Sequence, residues 1–102
     1  MRELNLDRLR TLVTIADLGS FAEAARTLHL APPTVSLHIA DLEALIGAPL
    51  LVRKRGEVRP SGAGEVLVER ARRLLADADE AMDLVRRQVQ GLEGRVRLGA
   101  ST

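Results

Sequence analysis

Apolar residues recur at helical spacing through most of this chain, and glycines, prolines and capping residues divide that spacing into segments. Leu6, Leu9, Leu12, Val13 and Ala16 repeat every three or four positions, which predicts a first helix capped by Asn5 with Asp7 in its first turn. Gly19 ends it. Ser20 and Glu23 have the spacing of a capping box, and Phe21, Ala24, Ala25 and Leu28 then form one apolar face of a short second helix. Pro32 and Pro33 cannot sit inside a helix but suit its first turn, so a third helix starts near Pro32. Its buried stripe reads as Val35, Ile39, Leu42 and Ile46, with Gly47 as the end signal. At about 100° per residue, Pro33, Leu37, Ala40 and Ala44 lie opposite that stripe, flanked by Thr34, Ser36 and Asp41. That outer face is nearly uncharged.

Ala48-Pro49 breaks the pattern, and Leu50, Leu51 and Val52 run into a basic cluster. Arg55-Gly56 has the character of a hairpin tip, with Gly56 tolerating positive φ and Val58 to Pro60 returning as a second strand. The whole predicts a mainly α fold: a winged helix-turn-helix of three helices and a two-stranded wing, whose third helix would enter a DNA major groove. An ordinary helical hairpin in a small bundle shows the same local pattern, and the wing is what favours the winged reading. Ser61-Gly62-Ala63-Gly64 lacks the Lys-Ser/Thr and βαβ context of a phosphate loop, so it reads as a hinge and helix start capped by Ser61.

From about Gly62 to Gln90 nothing breaks the helix, whose length of about 40 Å exceeds what a body of roughly sixty residues can cover. Along it Val68, Ala71, Leu75, Ala78, Met82, Val85, Val89 and Leu92 alternate steps of three and four, with Leu67, Leu74 and Ala81 widening the stripe. This predicts a dimerisation seam through Leu67, Val68, Ala71, Leu74, Leu75, Ala78, Met82, Val85 and Val89. Gly91 and Gly94 read as the helix end, and Arg95 to Leu98 alternate as a strand would. The resulting division is a winged domain over 1–61, a linker helix over 62–91, and the start of a truncated further domain over 92–102.

Composition changes this picture in two ways. Hydrophobic residues make up 46% of the 102 positions but the only aromatic is Phe21, so the core must be aliphatic, with Phe21 plugging the helix junction. Net charge is only +1, so any nucleic-acid footprint must be local. It is local: residues 53–59 carry four basic side chains against one acid, whereas 76–83 carry four acids and no base. Arg53, Lys54, Arg55 and Arg59 on a wing can straddle a phosphate backbone or reach a minor groove. There is no cysteine, hence no disulfide or thiolate metal site, and no apolar run of membrane-spanning or signal-sequence length, which predicts a soluble, cytoplasmic protein. Two histidines on different faces and scattered carboxylates suggest neither catalysis nor a cofactor.

Gly19-Ser20-Phe21, Ala24-Ala25, Leu28, Pro33-Thr34-Val35-Ser36, Ile39, Leu42-Glu43, Leu45, Gly47, Leu50, Arg53 and Ala63-Gly64, in order and without gaps, resemble the N-terminal region of LysR-type transcriptional regulators. That resemblance implies a bacterial winged helix-turn-helix binding an operator as a homodimer, a linker helix pairing antiparallel with its twin, and a separate effector domain of periplasmic-binding type. A small-molecule effector would belong to that missing domain. By the same resemblance Pro32, Pro33, Thr34, Ser36 and Leu37 would approach base edges, Arg53 and its neighbours would contact phosphate or minor groove, and His38 and Ser20 could reach phosphate. Ser20 is already accounted for by capping, and His29 reads as structural.

Five positions depart from the family pattern: Ala31-Pro32 replace a common Ser-Gln, Leu37 replaces a long polar residue, His38 a glutamine, and Gly56 a second wing arginine. Leu37 can meet a thymine methyl but cannot read guanine bidentately. Two alternatives stand beside this reading: another winged-helix regulator, such as the molybdate-responsive type, and a helical interaction module that dimerises without touching DNA.

Overall fold

Local capping bonds set the element boundaries. In a computed structural model, which describes the backbone of residues 3–101 and the side chains of residues 3–91, Asn5 Oδ1 accepts from the amides of Asp7 and Arg8 and starts α1 (Leu6–Leu18). Gly19, at φ 70°, closes it by donating to Ile15 O. Ser20 Oγ accepts from Glu23 N–H at 3.1 Å and starts α2 (Phe21–Leu28). Only half of the expected capping box forms, because the Glu23 carboxylate turns to Arg26 instead of Ser20. His29 ends α2 in the left-handed region at φ 56°, a structural role for this turn residue. α3 (Pro32–Ile46) then runs to Gly47 at φ 84°.

Strands β1 (Leu51–Lys54) and β2 (Glu57–Pro60) pair antiparallel in the register Leu51↔Pro60, Val52↔Arg59, Arg53↔Val58, Lys54↔Glu57. Arg55 and Gly56 between them both have positive φ, 52° and 79°, which is the two-residue turn whose twist matches a hairpin.

The core joins Leu9, Leu12 and Ile15 of α1 to Ala24, Ala25, Val35, Ile39, Leu42, Leu50 and Val58. Phe21 is half-buried at its edge. Two expected core positions lie outside: Leu6 is 43% and Ile46 45% exposed, each in a terminal turn where the helix has run past its neighbours. Conversely, Ile15 and Thr11 are buried although no single stripe predicted them. α1 is packed by α2, α3, a later helix and β2, so its buried sector is wider than one stripe.

That later helix, α4 (Gly62–Ser101), is continuous through Gly91 and Gly94. It therefore corrects both the expected end at these glycines and the expected strand over 95–98. A lone strand would leave its amides and carbonyls unpaired, whereas an uninterrupted helix satisfies them internally at a cost of about 1 kcal/mol per glycine. The side chains beyond Gly91, Leu92 of the seam included, lie outside the described residues.

The root of α4 is joined to the wing through backbone. Ser61 Oγ accepts from Gly64 N–H at 3.0 Å and donates to Pro49 O at 2.7 Å, while Ser61 N–H donates to Leu50 O at 2.9 Å. Leu50 N–H in turn donates to the Glu43 carboxylate of α3 at 2.8 Å, and Val58 N–H donates to Gly19 O at 3.1 Å. Gly64 is buried against this junction, where a Cβ would stand 1.9 Å from Leu50 O and 2.9 Å from its carbonyl carbon. Since the obstacle is backbone, Gly64→Ala is expected to lower stability by about 2 to 3 kcal/mol in urea unfolding. Gly62→Ala, two residues earlier with nothing within 4 Å of its Cβ, is expected to shift stability by less than about 1 kcal/mol.

Candidate nucleic-acid interface

The amino-terminal half of α3 is built without a capping side chain. Ala31 at the N-cap makes no side-chain hydrogen bond, and Pro32 and Pro33 occupy the first two helical positions. The prolines have no N–H to be satisfied, and the next two amides, of Thr34 and Val35, both donate to Ala31 O, at 2.9 and 3.3 Å. The amide that an N-cap hydroxyl would serve, that of Thr34, is thereby already bonded, so the absent hydroxyl at Ala31 does not strand it.

Pro32, Pro33, Ser36, Leu37, Ala40 and Ala44 are exposed along one side of α3, and Thr34 is half-buried. Leu37 is 57% exposed, the largest apolar group on that side. The other polar groups on this helix are engaged inward. Asp41 accepts from Arg8 Nε of α1 at 3.0 Å, and His38 Nδ1 lies 2.8 Å from Thr11 Oγ1. Thr11 is itself 1% exposed, and its hydroxyl donates to Asp7 O at 3.1 Å. With that single proton on Asp7 O, the Thr11 hydroxyl is left to accept, so the ring donates from Nδ1. His38 thus fixes α3 to α1 instead of standing free on the outer face.

On the wing the four basic residues do not form one patch. Cross-strand partners share a face, so Arg53 lies on the side of Val58, which is buried in the core, while Lys54 and Arg59 lie on the opposite side and Arg55 at the tip. Arg59 is paired with Glu57 at 3.3 Å. Arg53, Lys54 and Arg55 are exposed and have no ion-pair partner among the described residues. Ser20, at the amino terminus of α2, is half-buried and committed as a cap, with its hydroxyl proton still available.

The expected seam on α4 divides. Val68, Ala71 and Leu75 are buried against the same chain and Leu67 is half-buried beside them, because the first turns of α4 pack on α1. Further out, Leu74, Met82, Val85 and Val89 are 42 to 58% exposed and Ala78 is half-buried. Asp17 of α1 and Arg72 of α4 form a two-pronged pair that ties the linker to the body, and the Asp17 hydrogen bond raises the Arg72 pKa above its usual value. At about half exposure for both partners it contributes at most about 1 kcal/mol.

Thr11, Arg8, Glu43 and the Asp17–Arg72 pair were not legible as positioning groups. Their partners lie 7 to 55 residues away, and no local spacing signals them.

A helix exposed along an uncharged face, held on two others and followed by a basic hairpin hydrogen-bonded to their turn, defines a winged helix-turn-helix protein. Comparison with known proteins gives the family. Residues 6–65 match the model of the bacterial regulatory helix-turn-helix protein, lysR family, and the chain belongs to that family. It is 38% identical over 96 residues to the nitrogen assimilation regulatory protein nac of Escherichia coli, covering 94% of this chain and 32% of that protein. It is 42% identical over 95 residues to the HTH-type transcriptional regulator EstR of Acinetobacter baylyi, covering 93% and 32%. The chain spans about a third of the length of the curated relatives it matches. Among solved structures, the BenM DNA-binding domain in complex with catB site 1 DNA superposes with a TM-score of 0.78 at 31% identity, covering 82% of this chain and 93% of that one. The CbnR DNA-binding domain–DNA complex gives 0.75 at 31% identity, covering 81% and 95%.

The capping geometry separates two serine positions. Ser20→Ala removes the acceptor for Glu23 N–H and is expected to cost about 1 kcal/mol in thermal or urea unfolding. Ala31→Ser is expected to change stability by less than about 0.5 kcal/mol, because the amide a hydroxyl would serve is already bonded to Ala31 O.

Proposed function

We propose that this chain is the sequence-specific DNA-binding part of a cytoplasmic LysR-type transcription regulator, with a winged domain over 1–61 and a linker helix from residue 62. The observation that carries this reading is the exposed, uncharged side of α3 on the same body as three wing cations, Arg53, Lys54 and Arg55, that have no ion-pair partner among the described residues. A neutral helix face can enter the major groove without displacing its own counter-charges, and the cations supply phosphate contacts that carry no sequence information. The likeness to BenM and CbnR domains solved on DNA supports the same docking. No catalytic step is assigned to the chain. Sensing of a small-molecule effector would belong to a domain in the two thirds of the relatives' length that this chain does not match.

Two copies would associate through the outer part of α4, where Leu74, Ala78, Met82, Val85 and Val89 form an apolar stripe. Such a homodimer would set two α3 helices about one turn of DNA, ~34 Å, or a multiple apart on an inverted repeat.

Selection of duplexes from a random pool tests the reading. An enriched inverted repeat is the expected result, and no binding at all would favour an interaction module instead. Arg53→Ala is expected to weaken binding to every duplex and to reduce the slope of log affinity against log salt by about 1. The chain is expected to sediment as a dimer at micromolar concentration and Val85→Asp as a folded monomer, since Val85 is 58% exposed and makes no core contact. A wild-type monomer would refute self-pairing.

A further inference from the structure

α3, PPTVSLHIADLEALI, contains no arginine, lysine, asparagine or glutamine. Those are the side chains that make bidentate hydrogen bonds to guanine or adenine edges in the major groove. The remaining polar groups of the helix are largely withdrawn: Asp41 is held by Arg8, His38 Nδ1 is held by Thr11, and Glu43 is held by Leu50 N–H. Nor does the helix terminus offer backbone donors, since Pro32 and Pro33 have none and the Thr34 amide is bonded to Ala31 O. What α3 presents outward is apolar surface, led by Leu37 with Pro33 a turn before it and Ala40 nearly a turn after, together with the hydroxyls of Ser36 and of half-buried Thr34, neither of which can make a bidentate bond to a base.

In the major groove the apolar mark that distinguishes one base pair from the others is the C5-methyl group of thymine. We infer that α3 reads its operator chiefly through thymine methyl groups packed on Leu37, and that this helix does not specify guanine. The inference rests on the DNA-binding reading above. It divides the labour of the surface: Arg53, Lys54 and Arg55 hold phosphate on any duplex, and burial of methyl groups on Leu37 discriminates among them.

The probe is the best duplex from the random-pool selection, bound by the full chain. Replacing deoxythymidine by deoxyuridine, one position at a time, removes a methyl group and leaves base pairing intact. At one or two positions in each half-site this is expected to weaken binding about three- to fivefold, the value of one buried methyl group. At the same positions 5-methyldeoxycytidine is expected to bind better than deoxycytidine by a similar factor. Leu37→Ala is expected to lose that discrimination, binding the thymine and uracil duplexes within a factor of about 1.5. Leu37 is exposed and alanine is the stronger helix former, so the variant keeps the fold, which far-UV circular dichroism verifies.

A selected repeat in which uracil is silent at every position overturns the inference and leaves the DNA-binding reading standing. So does a thymine preference that Leu37→Ala does not reduce. Failure to select any sequence would remove the reading on which the inference rests.

Discussion

Burial of Leu9, Leu12 and Ile15 on α1 is the constraint on which the rest depends, because α2, α3, α4 and β2 all pack against that one helix. All three side chains are fully shielded, and each contributes on the order of 1.5 to 3 kcal/mol by leaving water. Small residues complete the arrangement. Ala24 and Ala25 of α2 and Ala71 of α4 are buried with them, letting backbones approach without a large side chain between. An aliphatic core with one half-buried aromatic is sufficient here because a single central helix supplies most of its contacts.

Around this pillar, the joints are made by backbone and by a few side chains that reach across. Leu50 is held on three counts: its side chain is buried, its amide meets Glu43 of α3, and its carbonyl accepts from Ser61 at the root of α4. Gly64 permits that closeness. The wing, α3 and α4 consequently share one anchor, and in the proposed dimer the spacing of the two α3 helices would be set by how α4 leaves it. Asp17 and Arg72 add a surface tie between the same helix and α1.

The electrostatic layout suits the proposed division between grip and recognition. Net charge is +1, and the cations without partners among the described residues include the wing trio. α3 carries two acids and no permanent cation, with both acids bonded toward its neighbours. Such a helix attracts DNA weakly by itself. In the proposed complex, affinity would come from the wing and from duplication in a dimer, which is also where salt dependence would arise.

Much of this was legible before any coordinates. Caps at Asn5, Ser20, Gly19, Gly47 and Ser61 announce themselves through residue type and position, since capping is a bond between near neighbours. The outer face of α3 was legible as well, because 3.6-residue periodicity fixes which positions lie opposite Val35, Ile39 and Leu42. The inward bond of His38 is not legible for the opposite reason, as its partner Thr11 lies 27 residues away. The α4 stripe shows both sides of the matter. Its periodicity marked a face that must be covered, but not that α1 covers Val68, Ala71 and Leu75 while Leu74, Met82, Val85 and Val89 remain open.

By itself, then, the sequence determined α1 to α3, the start of α4, the wing turn and the neutral character of the exposed α3 face, all of which rest on interactions within a few residues, but not that α4 continues through Gly91 and Gly94. Tertiary structure alone decided which apolar positions are already occupied, which basic residues of the wing share a face with the core, and which polar groups of α3 are tied inward. Those outcomes depend on contacts between segments far apart in the chain, which periodicity does not encode.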